Sequence, residues 1–236
     1  MTNSTVYVDF LNTLTLAIEL IRLDNYKEPL LLKDRNIVLG LRGGAAILMV
    51  ASFESFLTSL PETHMNILNI AYSTIDFSKL PKKMQITNVF KTLDRAMKIK
   101  FEPATRKIDR IIDIKSACRT ILNEQVNSTA FILGGKNPRP DVISNCFEII
   151  GKRKIFKKVT IEFQKKWGTK VPTQFIKDKL NEIVDRRNLV AHKSIASRIT
   201  KIDLIESIKF IMIMAKLLDN IYKKQIYKIY SKAIKS

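Results

Sequence analysis

TQFIKDKLNEIVDRRNLVAHK, residues 173–193, follows Pro172, and its reading decides the fold. Ile176, Leu180, Ile183, Val184, Val190 and Ala191 recur at three- and four-residue spacing, the period of a helix with one buried side. No glycine or proline interrupts it. One residue breaks the stripe, because Arg187 falls on the apolar side. A charge there is costly unless it is paired or lines a polar cavity. The sequence therefore places a wet cleft where this helix meets another.

Asp185, Asn188 and His192 stand at i, i+3 and i+7 and share a face, with Asn188 and His192 one turn apart. Asp185, two turns away, reaches a ring nitrogen of His192 only at full stretch and is a candidate supporting residue. Arg187 and His192 lie about 140° apart around the axis. Arginine's reach narrows that gap, and a second copy of the helix would close it better. An imidazole titrating near pH ~6.5 can take a proton from a ribose 2′-hydroxyl at neutral pH. A guanidinium stabilises a pentacoordinate phosphate without a metal, and an asparagine amide positions a hydroxyl or phosphate oxygen. The three types together suit metal-independent RNA cleavage by the 2′-oxygen. Against this, a lone helical histidine is commonly structural, and the Arg–His spacing arises by chance in basic chains.

Outward from this stretch, the 236 residues hold only seven glycines and seven prolines amid many Leu, Ile and Lys. Such a composition favours helices, and no strand–helix–strand alternation is visible, so the fold class is all-α, an up-and-down helical bundle. Helices are expected over about 5–23, 34–60 (stopped by Pro61), 63–73, 82–98 and 105–125. Further ones run from a cap at Asp141 to near Gly151, over 173–193, and from Thr200 or Asp203 to about Tyr230. Gly40, Gly43 and Gly44 read as a surface for close helix packing, since no strand or turn accompanies them as a phosphate loop requires. The stretch NSTAFILGGKNPRPD, residues 127–141, is the most loop-like. The expectation is one helical domain, 1–236, with a loop-rich insertion over about 127–172.

The formal net charge is +19. That excess attracts polyanions, nucleic acid first and an acidic membrane surface second, unless it reflects only a composition rich in Lys, Ile and Asn. Residues 151–170, GKRKIFKKVTIEFQKKWGTK, carry eight basic residues and one acidic one. Lys152, Arg153, Lys154, Lys157 and Lys158, with Trp167 for stacking and Lys193 beside the motif, are candidate nucleic-acid contacts. The alternative puts the rings in the core and the lysines in water. Cys118 and Cys146 have no neighbouring Cys or His, so no metal site and no cofactor is expected. His64 reads as a surface residue. The N-terminus MTNSTVYVDF lacks the pattern of a signal peptide, and charges interrupt both long apolar stretches. The expectation is a cytoplasmic protein without a membrane partner.

The segment RRNLVAH has the R-N-x-x-x-H form of the motif that marks the HEPN superfamily of helical ribonucleases and nucleotide-binding proteins, and the chain resembles that superfamily. FIKDKLNEIVDRRNLVAH is similar to its late helix, and ITKIDLIESIKFIMIMAKLLDNI to the closing helix. GAAILMVASFESF resembles an early helix in which an acidic residue follows an aromatic one, a place held here by Glu54. NPRPDVISNCFEIIG is similar to a segment preceding the motif in the RiboL-PSP-HEPN and MAE-type groups. The resemblance implies a helical bundle that dimerises, with the two motifs facing one another. Arg187 and His192 become the catalytic pair, Asn188 the polar helper, and Arg186, Asp185 and Glu54 supporting groups. Toxins of the superfamily that pair with nucleotidyltransferases carry a tyrosine two positions after the histidine; Ser194 stands here instead, which argues against that group.

These features lead to a metal-independent endoribonuclease acting on single-stranded or tRNA-like RNA and leaving 2′,3′-cyclic phosphate and 5′-hydroxyl ends. By family analogy it would be a toxin-like enzyme of antiviral defence or stress response, a homodimer with a composite site, restrained or directed by an inhibitor or effector protein. The alternatives are a non-catalytic module binding nucleotide, RNA or protein, and a plain basic nucleic-acid-binding protein.

Overall fold

Ser4 starts the first helix: its hydroxyl accepts from the Tyr7 N–H at 3.3 Å and donates to Asp219 Oδ1 at 2.7 Å. The computed structural model describes residues 3–26, 31–71, 73–97, 107–132, 137–193 and 199–234. Among them the helices are α1 (Thr5–Leu23), α2 (Arg35–Ile70), α3 (Lys82–Met97), α4 (Lys107–Leu122), α5 (Pro140–Ile149), α6 (Ile155–Trp167), α7 (Thr173–Lys193) and α8 (Lys201–Ala233). No strand occurs among the described residues, and the chain is all-α.

The chain divides into two compact units. The first comprises residues 1–58, 135–144 and 154–220. Phe10 of α1 packs on Phe56 and Phe53 of α2, with ring centroids 5.4 and 6.3 Å apart. Of the three glycines expected to admit a close neighbour, Gly44 does so: a Cβ there would meet Leu20 Cδ1 at 3.0 Å, whereas one at Gly40 would meet nothing. The charge that interrupts the apolar start of α2 is accounted for by a buried ion pair, Arg42 Nε to Asp24 Oδ2 at 2.7 Å. Leu204, Ser207, Ile208, Phe210, Ile211, Met214, Ala215, Leu217 and Leu218 are all buried, so this part of α8 is covered over about half of its circumference. Thr200 and Asp203 cap its start reciprocally, each side chain accepting the other's backbone N–H at 3.1 Å.

The second unit comprises residues 59–134, 145–153 and 221–236. Here the sequence expectation at Pro61 fails. α2 runs through the proline to Ile70, with Leu60, Pro61, Met65 and Leu68 buried on one side. A proline inside a helix costs about 3 kcal/mol, and burial of that apolar side offsets it. Buried Asn88 of α3 donates to the Gln125 carbonyl and accepts from the Asn127 N–H, both at 2.8 Å. His64 is not a bare surface residue; it lies half-buried, 5.9 Å from the Tyr222 ring. Burial pushes the Cys146 thiol up to about 12 and the Tyr222 hydroxyl well above its ordinary value.

α2 is long and apolar enough to cross a membrane by length and composition, with mean hydropathy 1.6 over eighteen residues; half of that window is buried inside the protein. The span 127–172, expected to be loop-rich, contains α5 and α6. α5 opens at Pro140, with Asp141 in its first turn rather than before it. α6 ends at Gly168, whose φ of +95° suits only glycine without strain and whose N–H closes on the Gln164 carbonyl.

Candidate functional site

The inward stripe of α7 holds up through Ile176, Leu180, Ile183 and Val184, all buried. It then loses cover: Val190 is half-buried and Ala191 exposed. Arg187 stands between these two regimes, with its side chain 19% exposed. Its Nη2 donates to Asn137 Oδ1 and lies 3.7 Å from Glu54 Oε2 on α2. Its Nε is buried with no hydrogen-bond partner. The guanidinium is thus anchored at one corner while a second donor stays unused, at the place where the sequence put a charge on an apolar face.

Asn137 comes from the loop that precedes α5. Pro138 and Pro140 restrict this loop, and Arg139 ties it to α7 by donating to Asp185 Oδ1 at 2.5 Å and Asn181 Oδ1 at 3.2 Å. Three α7 residues, Asn181, Asp185 and Arg187, therefore meet one short loop. Asp185 is spent on Arg139 and makes no hydrogen bond to His192, which corrects its expected role: the loop's guanidinium offers a charged partner. No local pattern in the sequence singles out Asn137 and Arg139, although the stretch that holds them resembles a segment preceding the motif.

His192 is exposed and Asn188 half-buried, and neither has a hydrogen-bond partner among the described residues. Arg186 is not a second basic group for the motif. It reaches Glu182 at 2.6 Å and Asp203 of α8 at 3.2 Å, while buried Lys179 meets Glu182 at 3.3 Å and Glu206 at 3.4 Å. Burial disfavours the charged Asp203 carboxylate. The Thr200 hydroxyl and N–H and the Arg186 guanidinium outweigh it and hold the pKa below the ordinary value. This network joins α7 to α8 and carries no free group toward His192.

The basic segment separates into core and surface. Ile155, Phe156, Val159, Thr160 and Phe163 are buried, while Arg153, Lys154, Lys157 and Lys158 are exposed and Lys152 half-buried. Trp167 is half-buried at the end of α6. Phe163, Phe175 and Phe210 pack round it and Lys209 Nζ lies over its ring at 4.9 Å, because α6 turns its aromatic side into the core. The Lys193 side chain lies outside the described residues. A cavity of about 180 Å³ opens at the start of α6, lined by Lys154, Lys157, Lys177, Ser144 and Thr173 together with Ile155 and Phe156, and its cationic and hydroxyl groups suit a phosphate group. Among the described residues no group of three or more His, Cys, Asp and Glu side chains is placed to hold a metal ion.

Compared with known proteins, no curated protein and no solved structure matches the chain. The model of the RiboL-PSP-HEPN family matches residues 12–224, which include all eight helices in whole or in part and every residue of the site. The chain belongs to that family, which at its broadest is a nuclease- or RNA-related helical module.

Proposed function

We propose, with membership in the RiboL-PSP-HEPN family as the premise, that this protein is a metal-independent endoribonuclease whose site is assembled from Arg187, Asn188 and His192. The observation that carries the reading is the contrast within five residues of α7. A mostly buried guanidinium keeps one donor unused, and an imidazole stands exposed without a partner.

In the reaction, the His192 imidazole takes the proton from a ribose 2′-hydroxyl. The 2′-oxygen bonds to its own phosphorus, Arg187 offsets the charge of the pentacoordinate phosphate, and the bond to the 5′-oxygen breaks. The 5′-oxygen leaves as a hydroxyl after gaining a proton, and the phosphate stays as a 2′,3′-cyclic ester. Along one helix the two residues are separated by about 7.5 Å of rise and about 140° of rotation, more than one phosphate spans comfortably. Val190 and Ala191 losing cover in the same turns supports a homodimer in which Arg187 of one protomer works beside His192 of the other. The cationic cavity at α6 and the exposed lysines around it would hold flanking phosphates. Single-stranded or tRNA-like RNA is the inferred substrate, with a cytoplasmic role in defence or stress response and a partner protein that restrains or directs the enzyme.

One observation favours a second reading. Glu54 partly neutralises Arg187, as suits a module that binds nucleotide or RNA without turnover. Incubating the protein with total tRNA in EDTA, beside His192→Ala, separates the two. Cleavage by the wild type alone, with cyclic phosphate ends, supports the nuclease. Binding with no cleavage, or equal cleavage by both, overturns it.

A further inference from the structure

α3 buries two polar residues on its inward face and leaves several large apolar ones on its outward face. Met84, Asn88 and Thr92 face the interior and are buried. On the opposite side Ile86 is 50% exposed, Phe90 68% and Met97 62%, with Leu93 half-buried among them. These four residues stand at i, i+4, i+7 and i+11 and fall within about 60° of arc, a continuous stripe along the helix. Scattered exposed apolar side chains are normal on a protein surface, but an aligned stripe on a helix whose buried face gives two of three places to Asn88 and Thr92 marks a contact surface. α4, which packs beside α3, also exposes Ile111, Ile112 and Leu122.

Charge identifies what covers the stripe. α3 and α4 together carry eight lysines and arginines against three aspartates. Lys83 is paired with Glu148 and Lys91 with Asp94, whereas Lys82, Arg95, Arg110, Lys115 and Arg119 have no acidic partner among the described residues. A second copy packed on this face would bring the same uncompensated cations of α3 and α4 together, which is repulsive. RNA would match the charge, yet three of the four stripe residues are Ile, Leu and Met, which offer bases neither hydrogen bonds nor aromatic stacking.

We propose that the outer face of α3 docks an acidic amphipathic helix of another protein. Apolar residues at matching i, i+4, i+7, i+11 spacing would lie along Ile86, Phe90, Leu93 and Met97, and its carboxylates would meet the unpaired cations of α3 and α4. This surface is independent of the RNA-cleaving reading and stands or falls without it.

The test titrates the intact 236-residue chain into a labelled helical peptide bearing leucine at i, i+4, i+7 and i+11 among glutamates. A scrambled isomer of the same composition and phosphatidylglycerol vesicles run in parallel. The expected result is saturable binding of the amphipathic peptide, at least about tenfold weaker binding of the scrambled one, and a similar loss in both Phe90→Asp and Ile86→Asp. Each replaced side chain faces solvent, so an unchanged melting temperature verifies the fold of both variants. Equal binding of the two peptides would mean charge attraction alone and overturn the proposal. So would failure to bind the amphipathic peptide, or affinity unaffected by both substitutions. Tighter binding to the vesicles than to the peptide, lost in Phe90→Asp, would assign the stripe to a lipid surface instead.

Discussion

Arg187 on α7 and Asn88 on α3 are both polar residues on the inward face of a helix, and they are treated in opposite ways. Asn88 is closed off. Its amide and carbonyl reach the backbone of the 125–127 segment at 2.8 Å each, and Asn127 in turn reaches Thr92 at 3.2 Å. Arg187 is left open, with one short contact to Asn137, a looser one to Glu54 at 3.7 Å and an unused Nε. Buried polar groups are normally satisfied, and a satisfied one fixes a loop to a helix. One that keeps a spare donor, as Arg187 does five residues before exposed His192, leaves that donor free for a group from outside the chain.

The largest expected effect tests the open side of this contrast. Arg187→Ala and His192→Ala should each lower RNA cleavage in EDTA by about a thousandfold, within the span of losing an acid–base group or a charge-stabilising donor. Because His192 is exposed, its replacement should leave the melting temperature within about a degree. A large fall in stability for His192→Ala would place it among structural residues and break the contrast.

Asn88→Ala should do the reverse. It strands a buried carbonyl and a buried N–H, so denaturant unfolding should show a loss of about 2–4 kcal/mol, with per-molecule cleavage unchanged under native conditions. Next in size is Glu54→Gln, which keeps shape but removes the charge near Arg187; cleavage should change by less than about tenfold while the nuclease reading holds. A larger loss would make Glu54 part of the chemistry.

The smallest effect concerns Asp203. Its folded pKa lies below the unfolded one, so its stabilising contribution is present above the unfolded pKa and is lost as pH falls through the folded value. Asp203→Asn should therefore slightly weaken the protein at neutral pH and flatten the stability curve on the acid side. The group is partly exposed, so screening holds the difference to about 1 kcal/mol or less. An acid limb as steep in Asp203→Asn as in the wild type would remove this carboxylate from the α7–α8 network.

What the sequence revealed follows from which forces are local. The bounds of α1, the apolar face of α8 and the misplaced charge at Arg187 all come from helical period, which needs no knowledge of partners. The stop expected at Pro61 was wrong because long-range burial overrode a local preference. α6 is hidden because eight basic residues in 151–170 mask the buried pattern Ile155, Phe156, Val159, Phe163, against which half-buried Trp167 packs through Phe163. Glu54 was found through likeness to an early family helix. Asn137 and Arg139 contact residues 50 and 46 positions away, and no local pattern encodes that meeting.

Gly44 ties two distant positions into one hereditary unit. A side chain there would meet the tip of Leu20 at 3.0 Å, close enough that the leucine must give way. Alanine is the better helix former by about 1 kcal/mol, so drift toward it is favoured wherever position 20 shrinks and resisted wherever it stays large. Among relatives of this chain, residues 20 and 44 should change together, small against large, as a record of how near α1 and α2 have been kept.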